Sequence, residues 1–215
     1  MINTHDRMSG MHRSGFRAVA LRVALVVGPL VGLLAACGDD EPHWGSVGES
    51  TCEKLDLAGQ VATAFPSAAP ATVDADARSG GLAGDGASEA TCTASVDAGA
   101  RGRLIVVAEV FSSGTPGKNS LYGQRDGGEL SVAGATVQVK PEPVQGWWDE
   151  GVRATATSEP APPVAAVVHL TVRDDNLAVA VRVSDWRGAD VVDPEADSAL
   201  ADAIVDRVPD IVPTR

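Results

Sequence analysis

VAAVVHLTVRDDNLAVAVRVS, residues 164–184, alternates apolar with polar or small residues on both sides of a short acidic turn. Val168, Leu170 and Val172 alternate with His169, Thr171 and Arg173, the two-residue period of a strand with one face in a core. After Asp174-Asp175-Asn176 the alternation resumes in Leu177, Val179, Val181 and Val183, with Arg182 on the other side. Two such runs around a short polar turn predict an antiparallel hairpin, Val164 to Arg173 against Leu177 to Ser184. A one-residue slip would turn every one of those apolar side chains to water, so the register is strongly specified. The expected outer face, with His169, Thr171, Arg173 and Arg182, is mostly wet.

The segments on either side extend this hairpin into a layer. Downstream, Asp193-Pro194-Glu195 opens a helix with Asp193 at the N-cap and Pro194 at its first position. Leu200, Ile204 and Val208 recur every four residues with Ala201 and Val205 beside them, and Pro209 is expected to stop the helix. Upstream, Gly151 to Thr157 is a short strand with Val152, Ala154 and Ala156 on one face, and Glu129 to Val139 is a further strand candidate. Arg103 to Phe111 carries apolar residues on both faces, which suggests a central strand, and pairs as a hairpin with Thr91 to Asp97. Ser112 to Gly128, with Lys118, Tyr122 and Arg125, is a polar surface loop. It lacks the strand–loop–helix context and Lys-Ser/Thr ending of a phosphate cradle. Pro66 to Ala90 is low in complexity and reads as a long exposed connection with room for a short strand near Ala71 to Val73. Ser50-Thr51-Cys52-Glu53 has the spacing of a capping box, with Ser50 at the N-cap. The helix behind it presents Leu55, Ala58, Val61, Ala62 and Phe65, with Cys52 and Leu57 at the edges, and ends at Pro66. The predicted fold is α+β: an antiparallel sheet of about five or six strands, packed with an N-terminal and a C-terminal helix, after a cleaved signal peptide.

The start of the chain states an address. Arg7, Arg13, Arg17 and Arg22 flank an uncharged apolar run, Val23 to Ala36, of 14 residues. A membrane-spanning helix needs about 20 such residues, so this run fits a signal-peptide core better than a permanent span. Met8 and Met11 are alternative starts to Met1, and either keeps three of the Arg. The run ends in Leu34-Ala35-Ala36-Cys37, the pattern of a bacterial lipobox. Leu34 fills an apolar peptidase subsite, Ala35 and Ala36 fit a narrow one, and the Cys37 thiol is the nucleophile that takes a diacylglyceryl group. The rival reading is an ordinary cleavage site followed by a free or disulfide-bonded Cys37. Acyl chains contribute about 0.8 kcal/mol per buried CH₂, and two suffice for stable anchoring. The expected organisation is a leader at 1–36, a flexible tether at 37–49 and one α+β domain at 50–215, on the outer face of the cytoplasmic membrane.

With Cys37 assigned to lipid, Cys52 and Cys92 remain as an even pair in an exported chain and are predicted to form a disulfide. A metal pair is the alternative and lacks nearby His or further Cys. Loss of the leader moves the formal charge from −12 to −15 and removes all three Met. So acidic a domain repels phosphate backbones, which argues against nucleic acid as a partner. The mature chain has few aromatics, so its core must rest on Val, Leu, Ile and Ala.

Catalytic signals are weak. His43, near Asp39, Asp40 and Glu41, could hold a metal weakly, though a solvated linker explains it better. His169 reads as an outward sheet residue without a nucleophile beside it. No HExxH, EF-hand loop, CxxC or post-strand GxGxxG is present, no carboxylate pair stands out, and no cofactor is implied. Trp147 and Trp148 are the candidate partner contacts: in a strand they would face opposite ways, and an exposed Trp next to Gly146 and Asp149-Glu150 suits a sugar, a peptide or a bilayer interface. Packing over a thin core is the alternative.

Taken together, Leu34-Ala35-Ala36-Cys37, Cys52 on an early helix, Cys92 on a strand, Gly146-Trp147-Trp148-Asp149-Glu150, and the closing hairpin and helix resemble small actinobacterial surface lipoproteins of unknown function. Some of that group are similar to PsbP/Mog1-type α/β/α sandwiches. The Trp pair departs from the small residues the group carries there. The resemblance implies architecture and address and supplies no catalytic residue. The expectation is a lipid-anchored, non-enzymatic binding or interaction module of the envelope, with a protein or glycan partner. The rivals are an envelope hydrolase and a carrier of lipid or a small hydrophobic ligand.

Overall fold

A computed structural model of the chain describes residues 43–67, 70–79, 87–97, 99, 102–113, 128–159, 162–186 and 192–214. Leu34, Ala35, Ala36 and Cys37, the tether up to 42 and most of the polar loop with Lys118, Tyr122 and Arg125 lie outside these residues. The described residues all fall in the unit Asp39–Arg215.

The hairpin forms with the expected faces. β8 (Ala165–Asp174) and β9 (Leu177–Trp186) pair antiparallel, Val168 opposite Val183 and Asp174 opposite Leu177. The loop is therefore Asp175-Asn176, and Asp175 takes φ +47, a left-handed conformation that Asp tolerates. Val168, Leu170, Val172, Leu177, Val179, Val181 and Val183 share one face and are wholly buried. β2 (Ser88–Asp97) and β3 (Arg103–Ser112) form the second expected hairpin, and β3 pairs with β9. The row Cys92, Ala108, Val181, Leu170 crosses four strands on the inner face.

Flanking strands complete a seven-stranded antiparallel sheet, ordered β1-β2-β3-β9-β8-β7-β6. β7 (Glu150–Thr157) is the expected short strand, pairing with β8. β1 (Thr72–Ser79) runs along most of β2, well beyond the short strand expected near Ala71 to Val73. Its polar sequence hides it, because an edge strand takes its ladder from one neighbour and needs little apolar surface. β6 (Glu142–Val144) is the opposite edge and holds Pro143, which an edge tolerates.

Helices cover the inner face. α1 (Glu49–Leu55) and α2 (Leu57–Ala64) lie over β1 and β2, and α3 (Pro194–Asp206) over β8 and β9. Ala90, Ala94 and Ala108 leave room for the helices to approach the sheet. The α+β architecture is thus as predicted, with the main sheet one strand wider.

Local expectations change in five places. The N-terminal helix is two helices, broken at Asp56, which takes φ +49 and caps α2 by accepting a hydrogen bond from Gly59 N. The break rotates the second half, so Leu57 is buried and Ala62 exposed. The N-cap of α1 is Gly48, not Ser50: Gly48 N donates to Thr51 Oγ1 at 3.1 Å and Thr51 N donates to the Gly48 main-chain carbonyl, since glycine has no side chain to cap with. Glu129 to Val139 is a hairpin, β4 (Glu129–Val132) and β5 (Ala135–Gln138), because Ala133 and Gly134 both take positive φ and reverse the chain. That hairpin lies on the outer face, where Leu130 and Val132 bury Ala154, Ala156, Ala165 and Val167. The outer face of β8 is therefore half covered rather than wet. Pro209 does not end the chain's helical structure: it sits in the first turn of α4 (Val208–Ile211), where its missing N–H is not needed.

The last part of the expected tether is also ordered. Trp44 and Val47, both within 37–49, are buried in the main core, and Gly45 N donates to Pro213 O at 2.6 Å. The surrounding composition hides this, since two apolar residues among polar ones carry no periodicity.

Candidate functional site

Cys52 of α1 and Cys92 of β2 are disulfide-bonded, with Cα atoms 5.3 Å apart and both side chains buried. The bond pins the first helix to β2, the strand next to the β1 edge of the sheet.

At the pole where β8 turns into β9, the chain entering the domain is held by the turn. His43 N donates to Asp175 Oδ2 at 2.9 Å, Trp44 N to Asn176 Oδ1 at 2.8 Å and Trp44 Nε1 to Asp174 Oδ2 at 2.8 Å. The Asn176 amide donates back to Trp44 O, to Ser112 Oγ and to Ser113 O. Asn176 is wholly buried, so each of these bonds satisfies a group that water does not reach. Thr214 forms a bridge with Trp44 from the C-terminal side. His43 is solvent-exposed, as a linker residue would be, but its main chain is held, and its ring packs T-shaped with the Trp44 ring, 5.1 Å between centroids.

Trp147 and Trp148 lie at the same pole, in the bend between β6 and β7 rather than in a strand. Both are half-buried against the main core, in place of one inward and one outward ring. Trp147 is 5.6 Å from the Trp44 ring and 5.6 Å from the Trp148 ring. Trp148 Nε1 donates to Val144 O at 3.3 Å, and its ring lies so close over Gly146 and Gly151 that a Cβ on either would collide with it. Gly146 in the bend and Gly151 at the start of β7 are thus explained by one indole.

A groove of about 580 Å³ runs between α2 and α3, lined by Gly59, Gln60, Ala64, Ala199, Leu200 and Ala203, with Asp56 and Arg207 also at its wall. The Arg207 guanidinium donates to Lys54 O at 2.9 Å, tying the end of α3 to α1.

Two titratable groups on the outer face, Glu109 and His169, have shifted pKa values. Glu109 of β3 is half-buried, and burial first, then the Glu89 carboxylate, raise its pKa above the ordinary 4.5. His169 of β8 lies between Ala154 and Arg182 in register, in a narrow recess with Gly128, Pro141 and Val152. Burial first, then Arg182, lower its pKa below 6.5, so its imidazole is neutral at pH 7. Among the described residues no three His, Cys, Asp or Glu side chains gather as metal ligands, and no helix is long and apolar enough to cross a membrane.

Sequence reasoning missed Asn176 and Glu109. Asn176 reads only as a turn residue, because its bonding partners are more than 60 residues away. Glu109 breaks the apolar run of Arg103 to Phe111, and that break is the one available signal.

No family model matches the chain, and no curated protein matches it. The extracellular domain of PknH from Mycobacterium tuberculosis is similar in structure, with a TM-score of 0.43 and 13% identity, over 77% of this chain and 98% of that one. A likeness this distant says nothing of ligand or activity.

Proposed function

We propose that the chain is a lipid-anchored extracytoplasmic lipoprotein, held by Cys37 to the outer face of the cytoplasmic membrane, and that its domain is a non-enzymatic binding or interaction module of the envelope. The observation that carries the reading is the Cys52–Cys92 bond. It places two of the chain's three Cys in an oxidised pair and leaves the third at the end of a basic-then-apolar leader, in Leu34-Ala35-Ala36-Cys37. The acidic mature surface supports a partner that is a protein or glycan rather than nucleic acid.

Expression of the full chain in a bacterial host tests the anchor. The wild type partitions with membranes and carries acyl mass on Cys37, while Cys37→Ala is released or accumulates uncleaved. Acylation and membrane retention of the Cys37→Ala chain would refute the reading. Capture on the detergent-solubilised mature protein tests the module: a specific protein or glycan partner supports it. Turnover of peptidoglycan or ester substrates, lost on a single Asp or Glu substitution, would replace it with a hydrolase.

A carrier of a small hydrophobic ligand is the second reading, favoured by the mostly apolar groove between α2 and α3, whose volume is in the range of small-molecule sites. Native mass spectrometry of the purified lipoprotein decides it: an extractable ligand lost on Ala203→Trp supports the carrier.

A further inference from the structure

The entering chain is fixed to the domain at one pole, and this sets how the domain stands on a membrane. Trp44 is buried and held through its main chain and its indole by Asp174 and Asn176, with His43 held by Asp175. His43 follows Cys37 by only six residues, and six residues reach at most roughly 20 Å. β9 starts at Leu177 beside the clamp and ends at Trp186, ten residues in all, which places the opposite pole roughly 30 Å away.

We propose that the Asp174-Asp175-Asn176 turn is a tether clamp that keeps this pole toward the bilayer and the Trp186 pole away from it. The proposal rests on the lipid anchor at Cys37. The clamped pole includes the Trp147-Trp148 bend, and Asp149 and Glu150 are exposed beside it. Its neighbour is thus a lipid headgroup surface, and the tether limits the space in which a large protein could reach it. Like charge between the acidic domain and anionic lipid pushes the body outward as far as the clamp permits. The far pole, where Trp186 is 42% exposed and lies in register with Arg103, and the two long flanks are left for an envelope partner.

The test uses the lipidated full-length product in vesicles of phosphatidylethanolamine and phosphatidylglycerol that carry a lipid-borne energy acceptor. Donors are placed at Gln145→Cys, near the clamp, and at Glu159→Cys, just past the end of β7 at the far pole; both side chains are exposed. Transfer from position 145 is expected to exceed that from 159 about threefold, given poles roughly 30 Å apart. A flexible insertion of about 20 Gly/Ser residues after Asp40 adds roughly 25 Å of reach and should bring the ratio near one. Asn176→Ala, which opens the clamp, should lower the ratio too, and the insertion keeps the test valid should that variant not fold. Equal transfer in the parent chain, or stronger transfer from 159, overturns the clamp while flotation with vesicles keeps the anchor. A chain without acyl mass that fails to float overturns both.

Discussion

Asn176 is bonded to groups from two distant parts of the chain, Trp44 on one side and Ser112 with Ser113 on the other. Asn176→Ala removes one acceptor and two donors and strands buried main-chain groups, so a loss of about 3 kcal/mol is expected in urea unfolding. Unchanged stability would mean that the clamp is not formed in solution. Glu109 acts in the opposite direction. Its folded pKa lies above the unfolded value, so its contribution is fully present below pH 4.5 and is lost as pH rises through the folded value. Glu109→Gln should raise Tm at pH 7 and flatten the pH profile above 4.5. His169 has the reverse sign. With its folded pKa depressed, it costs nothing above pH 6.5, and stability falls as pH drops from there through the folded value. Melting His169→Gln and the parent chain across pH 7 to 5 should show the parent losing more.

At the scale of elements, the disulfide and the β4–β5 turn are the sharpest tests. Cys52 and Cys92 are 40 residues apart, and closing a loop of that size contributes roughly 4 kcal/mol in the chain-entropy model. A Cys52→Ala, Cys92→Ala double variant should lose roughly 2–5 kcal/mol in denaturant titrations. Its effect should centre on α1 and β1–β2, where hydrogen exchange would quicken most. In the β4–β5 turn, Ala133 holds φ +50, a region that disfavours a Cβ, and Gly134 holds φ +84. Ala133→Asn should gain about 0.5 kcal/mol and Gly134→Ala should lose about 1 kcal/mol, both read from Tm. The same turn shows why Glu129 to Val139 misleads as a single strand. The apolar positions change phase at Ala133-Gly134, from Leu130 and Val132 to Val137 and Val139, but an apolar count over the window does not register that shift or the backbone reversal behind it. The double helix at 49–64 fails to show for a similar reason, since Asp56 is unremarkable in a helix interior until its own side chain caps the next one.

Across the whole molecule, seven strands in one open sheet leave two edges. β6 is short and holds Pro143, whereas β1 is long and exposed and carries Asp74 and Asp76. Charges on an edge discourage pairing with a second chain. An Asp74→Val, Asp76→Val variant should associate with rising concentration in sedimentation velocity while the parent does not. Part of this fold follows from local period and local chemistry. The 164–184 register, the β2–β3 hairpin, the Asp193-Pro194 helix start and the Cys52–Cys92 pairing belong there, because burial of one face and an even thiol pair leave few alternatives. The tertiary structure alone decided the edge strands, the covering of the outer face by β4–β5, the half-buried place of Trp147 and Trp148, and the clamp on Trp44. Each of those depends on partners distant in sequence, and short-range patterns carry no record of what a residue will touch across the fold.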